Sequence, residues 1–108
     1  MRRREIQFAS PPILKTGRHL GTLVRQARLA RGWTLTELGE RARVSLATIK
    51  RIEGGSLSAS LGAWLSVLER VGLLSPLSEL RDPASAALLD ATRIRRARRK
   101  APDADLDF

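Results

Sequence analysis

Residues Trp33–Gly55 read WTLTELGERARVSLATIKRIEGG, and two local signals in this stretch fix its structure. The first is Thr34-Leu35-Thr36-Glu37. The Thr34 hydroxyl can accept from the backbone N–H three residues on, and the Glu37 carboxylate can reach back to the Thr34 N–H, which is a capping box. A helix follows, with Leu38 and Ala42 on a buried stripe flanked by Glu40 and Arg41. The second signal is Ser45, a new N-cap only three residues after Ala42. Leu46, Ala47 and Thr48 then form the first turn of another helix, Ile49 and Ile52 repeat at i, i+3, and Gly54-Gly55 closes it. Two short helices joined by a tight turn are therefore expected.

The flanking sequence extends the helical pattern. Upstream, Leu20, Leu23, Val24, Ala27 and Ala30 share one face, with Arg25, Arg28 and Arg31 off it, and Gly32 ends that helix. Its start is expected near Leu20, because Pro11-Pro12 interrupts regular structure. Downstream, Ser60 is a plausible N-cap, and Leu61, Trp64, Leu65, Leu68 and Val71 give an apolar stripe stopped by Gly72. A short fifth helix is expected from Ser75, with Pro76 at its first position, carrying Leu77 and Leu80. No segment alternates apolar and polar residues for long, so strands are not expected. Trp33 and Trp64 each adjoin a buried stripe and read as core.

Charge is distributed unevenly along the 108 residues, which total +9 from 20 Lys+Arg and 11 Asp+Glu. Residues 1–19 carry +4, including Arg2, Arg3 and Arg4; residues 20–82 carry +3. Residues 83–101 carry +5, from Arg93, Arg95, Arg96, Arg98, Arg99 and Lys100 against Asp90, and residues 102–108 carry −3. Such an excess of base favours nucleic acid over other partners. With no cysteine and one histidine, His19, disulfides, thiolate metal sites and paired-histidine chemistry are excluded. Asp103, Asp105 and Asp107 imitate the start of a calcium loop but lack its glycine and its final glutamate. No glycine-rich phosphate loop is present. No catalytic residue, cofactor or metal is expected, and no apolar run is long enough for a membrane span. The basic start lacks the apolar stretch of a signal peptide, and a cytoplasmic, nucleoid-associated protein is expected.

The central pair of helices has the layout of a helix-turn-helix, in which one helix braces across the DNA backbone and the second enters the major groove. Residues Trp33–Gly55 resemble the XRE/Cro-type helix-turn-helix family, through the Thr-x-x-Glu-Leu start, Val44-Ser45 leaving the turn, Thr48-Ile49, and the terminal Arg51-Ile52-Glu53-Gly54. The resemblance covers roughly residues 19–81. It implies an all-α, five-helix Cro/lambda-repressor-like domain that binds double-stranded DNA as a homodimer. Inward Ile49 and Ile52 leave Leu46, Ala47, Lys50 and Arg51 outward, and the resemblance makes these the recognition positions. Thr34, Arg43, Ser45 and Thr48 complete the candidate DNA-contacting set. Two departures stand out: Leu35 where the family often has glutamine, and Arg43 where the turn often has glycine.

This reading divides the chain into a flexible basic N-terminal arm (residues 1–18), the helix-turn-helix domain (19–82) and a flexible tail (83–108) that is basic, then acidic. Within the tail, Asp82 could cap and Pro83 start a sixth helix. Arg93, Arg95, Arg96, Arg98, Arg99 and Lys100 are candidate phosphate contacts. The terminal DADLDF, with Leu106 and Phe108, reads as a docking segment. The order of segments, including GAWLSVLERVGLLSPLSELRDP, is similar to the HipB-type antitoxins. That resemblance implies a repressor of its own operon that also binds a HipA-type kinase toxin. The alternatives are a stand-alone or phage-type regulator of the same fold, and a non-specific nucleic-acid-binding protein driven by the tails.

Overall fold

The computed structural model describes the backbone of residues 9–104 and the side chains of residues 9–99. Arg2, Arg3, Arg4, Asp105, Leu106, Asp107 and Phe108 lie outside the described residues, as does the Lys100 side chain. The chain divides into two units between Ser78 and Glu79. Among the described residues all regular structure is helical.

The first unit holds α1 (Pro11–Ala30), α2 (Leu35–Ala42), α3 (Leu46–Glu53), α4 (Leu61–Arg70) and α5 (Leu74–Ser78). Helix α1 begins at Pro11, well before the expected Leu20, so residues 11–18 are helix and not a flexible arm. The prolines initiate where they were expected to interrupt. A proline in the first turn lacks only an N–H that would have had no helical partner, and its fixed φ is already helical. Ser10 caps the helix by accepting from the Ile13 N–H. The capping box of α2 is formed, with Glu37 N–H donating to Thr34 Oγ1 at 3.0 Å and Thr34 N–H donating to Glu37 Oε1 at 3.1 Å. Ser45 accepts from the Thr48 N–H at 3.2 Å and Ser60 from the Ala63 N–H at 3.1 Å, so α3 and α4 start at their expected caps. Helix α5 begins one residue earlier than expected, and Leu80 lies beyond it, 80% exposed.

The core comprises Val24, Leu38, Ala42, Ile49, Ile52, Val67, Leu68 and Val71. Trp33, Leu35, Val44 and Trp64 pack against it, half-buried. Two expectations are corrected. Leu61 is 72% exposed, because α4 turns Val67, Leu68 and Val71 inward and its first residue projects past that face. Arg28, placed off the buried face, is only 8% exposed. Its guanidinium forks onto Glu53 at 2.7 and 3.0 Å and donates to the Trp33 carbonyl at 2.9 Å.

The second unit contains α6 (Pro83–Ala104), a helix where a flexible tail was expected. Asp82 accepts from the Ser85 N–H at 3.0 Å and from the Ser85 hydroxyl, and Pro83 occupies the first helical position. The Ser85 hydroxyl, and then its N–H, hold the Asp82 carboxyl below the ordinary aspartate range. The following Ala-, Leu- and Arg-rich sequence consists of strong helix formers. Leu88, Leu89 and Ile94 remain 66%, 65% and 54% exposed.

Candidate nucleic-acid interface

The angle between α2 and α3 is set by the turn Arg43-Val44-Ser45. Arg43 sits in the left-handed region at φ 57°, ψ 43°. The Val44 N–H donates to the Gly39 carbonyl at 2.9 Å and the Arg43 N–H to Glu40 at 3.3 Å, a Schellman closure of α2. The arginine thus adopts the conformation that glycine takes without strain. For a non-glycine residue the left-handed region costs about 1–2 kcal/mol. Arg43→Gly should therefore raise stability, by about 0.5–1 kcal/mol after the added freedom of the unfolded chain is subtracted. The same change removes a cation beside the turn and should weaken DNA binding. Urea unfolding and a DNA titration on one preparation check the opposed signs.

Helix α3 rests on Ile49 and Ile52, both fully buried, and this fixes its rotation. Leu46, Ala47, Lys50 and Arg51 are all exposed on its opposite side, as the spacing predicted. Leu46 is 42% exposed, an apolar side chain at the front of the helix. Thr48 differs from the other candidates: it is half-buried, and the Ser45 hydroxyl donates to its Oγ1 at 2.9 Å, so its hydroxyl is engaged in the cap. Thr34, likewise, spends its hydroxyl on the α2 cap while remaining exposed. A polar depression of about 450 Å³ lies between the starts of α3 and α4, lined by Arg43, Ser45, Thr48, Ser60 and Ser66 among others. Two helix N-termini and one guanidinium converge there, an environment suited to an anionic oxygen. Of the expected tail contacts, Arg93, Arg95, Arg96, Arg98 and Arg99 are exposed on α6. Arg93 has only a loose, solvent-exposed pairing with Asp90 at 3.8 Å.

Leu35, the departure at the start of α2, is half-buried against the core. Its place is taken up by packing, not by a polar contact to DNA. Three supporting features escaped the sequence reading. The Arg28–Glu53 pair ties α1 to the last residue of α3, and the hydrogen bond to Glu53 holds the Arg28 guanidinium above its ordinary pKa against the opposing effect of burial. Gly17 and Gly21, one turn apart on α1, are buried against backbone atoms of Ile52, Glu53 and Gly55. Finally, Arg41 and Arg31 lie over the Trp33 ring at 4.5 and 5.8 Å, within cation–π range. The repeat of two glycines at i, i+4 was the readable sign of the second feature, since that spacing puts both on one helix face.

A small helical unit whose third helix is held by a short capped turn, with its first-turn side chains outward, defines a DNA-binding class. Residues 19–82 match the model of the family described as helix-turn-helix domain, and the chain belongs to that family of DNA-binding regulators. No curated protein and no solved structure matches the chain. Among the described residues no helix is long and apolar enough to cross a membrane, and no three His, Cys, Asp or Glu side chains come together.

Proposed function

We propose that this chain is a sequence-specific DNA-binding repressor that acts as a two-fold dimer. The observation that carries this reading is the outward set Leu46, Ala47, Lys50 and Arg51 above fully buried Ile49 and Ile52. Lys50 can donate to guanine O6 or N7, and Leu46 and Ala47 can touch a thymine methyl. Arg43 and the Ser45 end of α3 hold phosphates on either side of the groove. A two-fold dimer sets two such helices about 34 Å apart and selects a palindrome. The arginines of α6 add phosphate contacts that strengthen binding on any sequence.

Lys50→Ala and a variant with Arg93, Arg95, Arg96, Arg98, Arg99 and Lys100 all changed to alanine separate these roles. On the upstream region of the chain's own operon, Lys50→Ala should cost about 1–3 kcal/mol, with little change on random duplex. An equal loss on both would make Lys50 a phosphate contact. The α6 variant should lose affinity on both, and its log K against log salt slope should flatten by about 0.9 for each phosphate no longer neutralised. An unchanged slope removes α6 from the interface. Competition by random duplex that abolishes binding to the operon region overturns specific repression altogether.

The similarity in segment order to HipB-type antitoxins extends the proposal to an autoregulating antitoxin that also binds a HipA-type kinase toxin through its acidic terminus. Deleting DADLDF should then leave DNA binding intact and abolish co-purification with a kinase encoded beside it. Co-purification that survives the deletion ends the docking role of that segment.

A further inference from the structure

On the first unit, the opening turns of α1, the loop after α3, and helices α4 and α5 enclose a groove of about 500 Å³. Ile13, Leu20, Leu57, Leu61, Trp64 and Leu77 supply most of its lining, and Leu68 forms part of its wall. No lining residue is charged, in a chain where 29% of residues are. Ile13, Leu61 and Leu77 are 51%, 72% and 39% exposed. Contiguous exposed apolar surface of this kind marks an interaction site.

We propose that this groove is the contact between two copies of the chain, each copy seating its Leu61 in the groove of the other. Charge selects the occupant. DNA phosphates or an acidic peptide would find no cation in the lining, whereas two chains of net charge +9 repel and can meet closely only across a neutral patch. Shape points the same way. One patch carries both a recess and the projecting Leu61 and Ile13, and a patch with both can complement itself about a two-fold axis. No residue of α2 or α3 lines the groove, so the contact leaves Leu46, Ala47, Lys50 and Arg51 free.

The eleven lining residues are about half of the 20–30 a side found in a standard interface. The dimer is therefore concentration-dependent in free solution. It tightens when two copies occupy adjacent half-sites and the second contact becomes intramolecular. The inference supplies the interface for the two-fold dimer proposed above, but its test needs no DNA.

Sedimentation velocity of the full chain over a micromolar concentration series should show a monomer–dimer equilibrium. Leu61→Glu should raise the dimer dissociation constant about a hundredfold, the loss expected when a central apolar anchor is replaced by a charge. Because Leu61 is 72% exposed in the single chain, circular dichroism should show the same helix content and the same melting midpoint as wild type. The chain has no cysteine, so Leu61→Cys and Ile13→Cys are unique thiols; mixing the two variants under oxidation should give a cross-linked dimer. A wild-type chain that stays monomeric throughout the series overturns the proposal. So does a dimer that persists in Leu61→Glu but dissociates when Leu88 and Leu89 on α6 are both changed to glutamate, since the contact then belongs to α6. Failure of sequence-specific DNA binding, with the Leu61 dependence intact, overturns only the repressor reading.

Discussion

Arg28→Ala is expected to unfold a large share of the chain at ambient temperature. Its side chain is 10% exposed and that of Glu53 8%, so truncating the arginine leaves a carboxylate in a poorly solvated place with no partner. Breaking one side of a buried pair costs about 3–5 kcal/mol. That is most of the stability of a unit this small, since whole domains hold about 5–15 kcal/mol. The Trp33 carbonyl loses its donor at the same time. Arg28→Lys should recover only part of the loss, because an ammonium cannot bond both carboxylate oxygens and the carbonyl with the geometry of a planar guanidinium. The double change Arg28→Met, Glu53→Leu should recover most of it, since apolar residues of similar volume often replace such pairs without penalty. Urea unfolding followed by the fluorescence of Trp33 and Trp64 measures all three. If Arg28→Ala alone costs less than about 1 kcal/mol, the pair is behaving as a solvent-screened surface contact. DNA binding should track stability in this series, because the pair ends on the last residue of the helix that carries Lys50 and Arg51.

The ease with which each feature could be read from sequence depends on the distance over which its cause acts. Thr34, Glu37, Ser45 and Ser60 were legible because a cap and its acceptor lie within three residues. The rotation of α3 was legible because Ile49 and Ile52 leave only one face for Leu46, Ala47, Lys50 and Arg51. Arg28 was not, because its partner is 25 residues away and an arginine beside an apolar stripe ordinarily stays in water. Pro11-Pro12 and Asp82-Pro83 were ambiguous for another reason. The same prolines end a preceding element or begin the next, and the residues downstream decide between the two. After Pro12 and after Pro83 the chain continues with residues able to propagate a helix, so both pairs begin one. Leu61 matched a helical stripe, but periodicity does not say how far along the helix the core extends. The base-reading assignment remains a proposal because the outward face of α3 defines which side chains are available and not which bases they meet.

Gly21→Ala is expected to reveal how α1 positions α3. A Cβ at residue 21 would stand 2.5 Å from the Ile52 carbonyl oxygen, 2.7 Å from that of Glu53 and 2.8 Å from the Gly55 nitrogen. All three are backbone atoms, so no side chain can swing aside. Gly55 is confined in turn, at φ +77° with space for a Cβ closed by the Arg18 backbone at 2.6 Å. The helices must separate, and the Arg28–Glu53 fork two turns along α1 is strained with them. The cost should reach about 3 kcal/mol, the upper part of the range for overpacking, although alanine is the better helix former. Gly62→Ala is the control. It is also a helical glycine, but the nearest atom to its Cβ position is the Ser60 Oγ at 4.0 Å, so helix propensity alone acts and stability should rise by about 0.5–1 kcal/mol. The same chemical change then gives opposite signs at two helical positions in one unit. Where Gly21→Ala remains folded, at low temperature, its loss of affinity should be larger on the operon region than on random duplex. A shift of α3 disturbs the register of Lys50 and Leu46 with base edges, whereas phosphate contacts tolerate small displacements. A Gly21→Ala protein as stable as wild type would mean that the α1 and α3 backbones do not meet at this glycine.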